Sequence, residues 1–226
     1  MYLEQGQSHD KKIDILVDFL KSKEAEFVAK GTAMTSYIAS IARVLEKGGV
    51  DKFEEVAWAE IQGISEVESI EDFDDFHADF VERVTKEIKT NKGEKLTYGQ
   101  AQKPINVFLK AYVDRSKLPD LQLADRLRPW LHVPLDSEMM TYFYEEFRPE
   151  FDNFVRPIII DQFQDYLRKR GTRWKPRDEY FLSLARILTK ADYYSWQNLF
   201  RTLYPERPIL LDTVYALRTR NLKVEL

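Results

Sequence analysis

Apolar side chains recur at intervals of three and four residues along most of this chain, and no comparable stretch alternates with a period of two. That rhythm matches the 3.6-residue turn of an α-helix, so each apolar set forms one face that must be buried against a neighbour. The plainest case is Phe73, Phe76, Phe80, Val84 and Ile88, preceded by acidic residues and followed by Lys86 and Lys89, the order that a helix dipole favours. With 8 Gly and 9 Pro in 226 residues, the chain also lacks the turn formers that a sandwich or barrel of many short strands requires. The expected fold class is therefore all-α, a single compact domain of about eight to ten helices.

Punctuation sets the expected boundaries. A first helix starts after Ser8 and ends near Gly31, a second runs from Thr32 to Gly48-Gly49, and a third is capped by Asp51 and stopped at Gly63. The polar stretch 90–95, which contains Gly93, divides acidic N-terminal helices (residues 1–92) from the remainder (97–226) within the one domain. Thr97 opens the next helix, and Pro104 implies a kink or a start nearer residue 103. Residues 118–136 hold Pro119, Pro129 and Pro134 and form the longest irregular connection, with a short helix over Leu121–Leu127. Ser137 caps a following helix. Others are expected over about 178–188, 191–203 and 208–217.

Composition excludes several classes. There is no Cys, which removes disulfide frameworks, thiolate metal centres and thiol catalysis, and 3 His leave little for a histidine metal site. No cofactor and no metal are expected. The N-terminus lacks a basic segment followed by an apolar one, and no apolar run is long enough to span a bilayer, so the expected setting is cytoplasmic with no membrane partner. The net charge of −4 is unevenly spread, −8 over residues 1–96 and +4 over 97–226.

Four groups of residues carry candidate chemistry. Arg168, Lys169, Arg170, Arg173, Lys175 and Arg177 surround Trp174, a pattern that suits phosphate contacts with an indole available for base stacking. The competing reading is a cationic helix end, favoured by an overall pI near 5.6. The acidic segment around Asp74, Asp75, His77 and Asp79 invites a divalent ion, but the inward Phe73, Phe76 and Phe80 turn Asp75 and Asp79 to solvent. Glu87-Ile88-Lys89 with Asp74 or Asp75 imitates a nuclease triad, yet that chemistry requires strand ends. Finally, His132 lies four residues before Asp136, a spacing that orients an imidazole as a general base or braces a loop while Asp136 caps the next helix. Lys103 and Arg126 are the cations nearest in sequence for a developing phosphate charge.

The Arg126–His132 spacing resembles the motif of helical HEPN ribonucleases, which would imply metal-independent RNA cleavage, although Pro129 interrupts the one helix that motif needs. A broader resemblance covers about residues 95–218. The segment Tyr98-Gly99-Gln100-Ala101-Gln102-Lys103, continuing through Ile105-Asn106 to Lys110, and the loop Leu131-His132-Val133-Pro134-Leu135-Asp136 resemble small all-helical prokaryotic proteins of uncharacterised function. These carry a Gly-Gln-Ala-Gln-Lys helix followed by a His-x-Pro-(Ile/Leu)-Asp loop. The chain departs from that pattern at Pro104 and at Val133, where a Cys is usual. The resemblance implies a shared fold and a polar set made by Gln100, Gln102, Lys103 and Asn106 beside the His132 loop. It implies no reaction.

The expected function is a non-enzymatic helical protein-interaction module of a mobile-element or defence locus, with a protein partner or a second copy of the chain. Tyr142, Phe143, Tyr144, Tyr193, Tyr194 and Trp196 exceed what one helix face can bury, so some of them are expected at a protein interface, the competing reading being an aromatic-rich core. Nucleic-acid binding through the 168–177 cluster is the alternative, and the ribonuclease reading stands third.

Overall fold

The computed structural model describes residues 3–160, 164 and 182–213, apart from the side chains of 3–14 and 20–22. Its helices are α1 (Leu3–Ser40), α2 (Gly49–Ile61), α3 (Ile70–Glu87), α4 (Tyr98–Leu109), α5 (Leu121–Leu127), α6 (Ser137–Glu146), the single turn α7 (Arg148–Glu150) and α8 (Lys190–Leu203). Among the described residues there is no strand, only two isolated bridges that pin the 90–95 loop to Leu45 and to itself. The all-α expectation holds.

Several boundaries differ from the sequence reading, each for a local reason. The helices expected on either side of Gly31 are one helix, α1. A glycine inside a helix costs only about 1 kcal/mol, and Thr32 and Thr35 donate to the carbonyls of Val28 and Gly31 instead of capping a new helix. Ser137 is the first helical residue of α6 and Asp136 is its cap, accepting from the Met139 N–H at 2.8 Å. α4 starts at Tyr98 and runs through Pro104 without restarting at 103. Thr97 and Gln100 form a reciprocal capping box at its start, and Ala101, Ile105 and Phe108 hold its buried face. Of the helix expected over 178–188, the described part is a 3-10 turn at Leu184–Arg186, followed by a capping box of Thr189 and Asp192 that starts α8.

Two apolar clusters result. The first is packed by α1, α2, α3 and α4 and is centred on Phe53, Phe80 and Phe108, whose ring centroids lie 6.3–6.5 Å apart. It continues past the 90–95 loop to Leu131. The second starts at Val133 and joins α6, the π-helical turn Phe151–Val155 and α8 through Phe143, Phe151, Trp196 and Phe200. Along the chain the clusters change over at residue 132, Ile209 returning to the first, and Tyr98 packs against both.

α4 touches the second unit through Gly99. Its N–H donates to the Ile187 carbonyl at 3.0 Å, and a Cβ there would sit 2.4 Å from the Leu184 carbonyl oxygen. Gly99→Ala must push the 184–187 turn off α4, and the expected loss is about 2 kcal/mol. Gly63, around which a Cβ meets nothing within 4 Å, accepts the same substitution with no loss or a gain of about 0.5 kcal/mol. Urea unfolding of both variants checks the contrast.

Candidate functional site

Between Leu131 and Leu135 the chain is neither helix nor strand, and all five residues are buried. Buried main-chain polar groups need partners, and here side-chain amides supply them. Gln197 on α8 accepts from the Val133 N–H at 2.9 Å and donates back to the Val133 carbonyl at 3.0 Å, as a neighbouring strand would. Asn106 on α4 donates to the same carbonyl at 3.3 Å, and Gln102, one turn earlier, donates to Leu135 at 3.4 Å. Pro134 has no N–H to satisfy.

The same amides orient His77 of α3. Asn106 Nδ2 donates to Gln102 Oε1 and to the Tyr193 hydroxyl, both at 2.7 Å, which leaves Oδ1 as the acceptor facing His77 Nε2 at 2.8 Å. His77 therefore carries its proton on Nε2. Its ring stacks on Tyr193 and lies 4.4 Å, centroid to centroid, from His132.

His132 belongs to a charged group. Its Nε2 is 2.8 Å from Asp74 Oδ1, and Arg201 grips both oxygens of that carboxylate, at 2.6 and 3.0 Å. Arg201 Nη2 is also 2.9 Å from His132 Nε2 and 3.4 Å from the Trp130 carbonyl. One ring nitrogen cannot donate to the carboxylate and accept from the guanidinium together. With Nε2–H directed at Asp74, Arg201 Nη2 keeps Asp74 and Trp130 as its two acceptors. Nδ1 is then a bare lone pair without a donor, as in His77.

Burial, helped by the Arg201 charge, drives the His132 imidazole down to about 4 although Asp74 pulls the other way. Burial holds His77 well below its ordinary value, and a second cation at His132 would push it further. Burial would raise Asp74, but the hydrogen bonds from His132 and Arg201 outweigh it and hold the carboxyl well below the usual range. At neutral pH the site holds two neutral histidines and one ion pair.

The residues singled out from the sequence divide accordingly. Gln102, Asn106 and His132 come together. Asp136 is not the partner of His132: its carboxylate holds the α6 N-terminus and accepts from Lys103 at 2.9 Å. Lys103 is thus a tether between α4 and α6. Gln100 is part of the α4 cap. Arg126 donates to the Val67 carbonyl at 3.0 Å, α5 ends at Leu127, and the two HEPN-like residues do not share a helix. The cluster of Arg168, Lys169, Arg170, Arg173, Trp174, Lys175 and Arg177 lies outside the described residues. Arg201 and Gln197 carry no sequence signal of a site, Asp74 stands there only among the acids weighed for a metal ion and Tyr193 only among the interface aromatics, although Tyr193, Gln197 and Arg201 mark one face of α8 at four-residue spacing. Asp75 does face out, 3.3 Å from Lys190, and Asp72 closes the α3 cap. Among the described residues no three His, Asp or Glu side chains converge as metal ligands.

No family model matches the chain, and neither does any curated protein or solved structure. The chemistry of the site rests on its own geometry. An acid–base catalyst has to reach its proton within about 3 Å, and the His132 side chain is 0% exposed with its one protonated nitrogen held by Asp74. The arrangement is built to join three helices and a loop.

Asn106→Leu removes the acceptor of His77 and a donor to Gln102, and each orphaned buried group costs about 1–3 kcal/mol. Urea unfolding is expected to show a loss of about 3 kcal/mol, against about 1 kcal/mol for Gln100→Ala, which removes only a cap. The histidines also fix the pH response. Unfolded histidine binds a proton near pH 6.5 and His132 in the folded chain only near 4, so stability falls as the pH drops through that window. His132→Gln keeps a donor toward Asp74 and removes the titration. Between pH 7 and 5 it is expected to lose about 2 kcal/mol less stability than the wild type, measured by urea unfolding at both pH values.

Proposed function

We propose that the protein is a non-enzymatic helical interaction module whose docking surface is the outward face of α1. The observation that carries this reading is the exposure of large apolar side chains along that helix: Leu16, Phe27, Met34 and Ile38 are 50%, 54%, 42% and 61% accessible. At 100° per residue these four fall within a narrow arc, while Ala29, Ala33 and Tyr37, all buried, lie on the side of α1 that packs into the first cluster. An apolar stripe of this extent on a water-facing helix marks an interaction surface.

The aromatic set that the sequence suggested for this role is placed elsewhere. Phe143, Tyr193 and Trp196 are buried, and Tyr142, Tyr144 and Tyr194 pack against the second cluster. α8 is enclosed on several sides, so more than one of its faces is apolar. His132, Lys103, Arg126 and Asp136 are each engaged within the chain, which supports a binding role over a catalytic one. Among the described residues no helix is long and apolar enough to cross a membrane, and a protein surface is the partner class that suits the stripe.

The test compares proteins cross-linked to the wild-type chain in its native cells with those cross-linked to Phe27→Lys/Ile38→Lys, at two positions that are 54% and 61% exposed. Loss of the major cross-linked species in the variant, with its helical circular dichroism unchanged, is the expected result. The same species at the same yield from both proteins would refute the assignment.

A further inference from the structure

The identity of the partner follows from the register of α1, taking that helix as the docking face. We infer that a second copy of the chain covers it, the two α1 helices running antiparallel.

Val17, Gly31 and Ile38 fall in one series of seven-residue steps, with Glu24 between them, and Phe27 and Met34 fall in a second series three residues later in each repeat. In the sequence, Ile13 and Leu20 extend the second series. Two interleaved series of this kind are the seam of a two-helix coiled coil. α1 has 38 residues and a length of about 57 Å, but its core-facing residues start only at Ala29, and residues 15–19 are exposed at every position around the helix. A helix with apolar residues on such a segment gains its stability from packing. The outer face of the other half, Phe27 to Ile38, is the matching apolar surface on the same molecule.

The direction is set by Gly31 and Glu24. In a parallel pair like positions meet, so Gly31 faces Gly31 and leaves a hole, and Glu24 faces Glu24. In an antiparallel pair the two series face each other. Val17 meets Met34, and Glu24 meets Phe27 rather than a second carboxylate. The arrangement is two-fold and self-complementary, as a closed dimer requires. The exposed parts of Leu16, Val17, Phe27, Val28, Met34 and Ile38 come to roughly 500 Å² per copy, so full coverage by a second copy buries about 1,000 Å², the lower end of a specific interface.

Sedimentation velocity on the full chain tests the inference. A species of twice the 26.8 kDa chain mass is expected at micromolar concentration, and Met34→Glu/Ile38→Glu is expected to sediment as a monomer with unchanged circular dichroism. The chain has no cysteine, so direction is read from disulfides. A mixture of Val17→Cys and Met34→Cys chains is expected to form the mixed disulfide, and neither variant alone its own. A wild-type monomer over the whole concentration range, or a dimer that survives Met34→Glu/Ile38→Glu, overturns the second copy as the occupant. If the wild-type monomer still shows face-dependent cross-linking to another protein in cells, the docking surface stands and only this inference falls. Efficient self-linking of each single-cysteine variant overturns the antiparallel register.

Discussion

A stretch of main chain that crosses a protein interior outside any helix or sheet must find partners for its own polar groups, and the rest of this structure is arranged around that requirement. Residues 131–135 pass between the two apolar clusters. Leaving one of their N–H or carbonyl groups unpaired would cost about 1–3 kcal/mol. Gln197, Asn106 and Gln102 supply partners, from two different helices, to the Val133 N–H and to the Val133 and Leu135 carbonyls. Because an amide both donates and accepts, each can hold the loop and a second group at once. Asn106 thereby ties α3, α4, α8 and the loop, its oxygen facing His77 and its two N–H groups shared among Gln102, Tyr193 and the Val133 carbonyl.

The charged part of the junction follows a different logic. A buried ion pair gives little net stability over an apolar replacement, whereas removal of one member is costly, about 3–5 kcal/mol, because the other charge is stranded. Asp74 and Arg201 lie at the edge of the interior, 22% and 15% exposed, where desolvation is incomplete and the bidentate geometry fixes how α8 sits on α3. The two histidines behind them are neutral because a second and third charge in that space would face Arg201 without water. The junction specifies one packing of the two clusters and makes that packing sensitive to acid. The outward face of α1, with Phe27, Met34 and Ile38 exposed, carries none of these histidine or amide contacts.

The helical class was legible because apolar periodicity and capping residues act within a turn or two. Ser69, Thr97 and Thr189 each start a helix with a reciprocal box that can be seen in the sequence. Gly31 misled because the mean effect of a glycine is smaller than what the packing of α1 contributes. The site was only half legible. Gln102, Asn106 and His132 stood out as polar residues in apolar surroundings. Their partners Asp74, Tyr193 and Arg201 lie 58 to 127 positions away from the groups they bind, and nothing local distinguishes Asp74 from the solvated acids beside it. Asp136 was the obvious partner for His132 in sequence, but a carboxylate at a helix start is captured by the nearest free N–H groups. The exposed apolar face of α1 is less legible, because a helix divided at Gly31 reads as two ordinary amphipathic helices.

The central claim, that the junction is a neutral imidazole pair held by amides and one ion pair, is tested most directly by the ring-nitrogen chemical shifts of His77 and His132 in two-dimensional 1H–15N NMR. Both rings are expected in the neutral form at pH 7 with the proton on Nε2, and His132 is expected to titrate only near pH 4. An imidazolium at either residue at neutral pH, or a proton on Nδ1, would contradict the account.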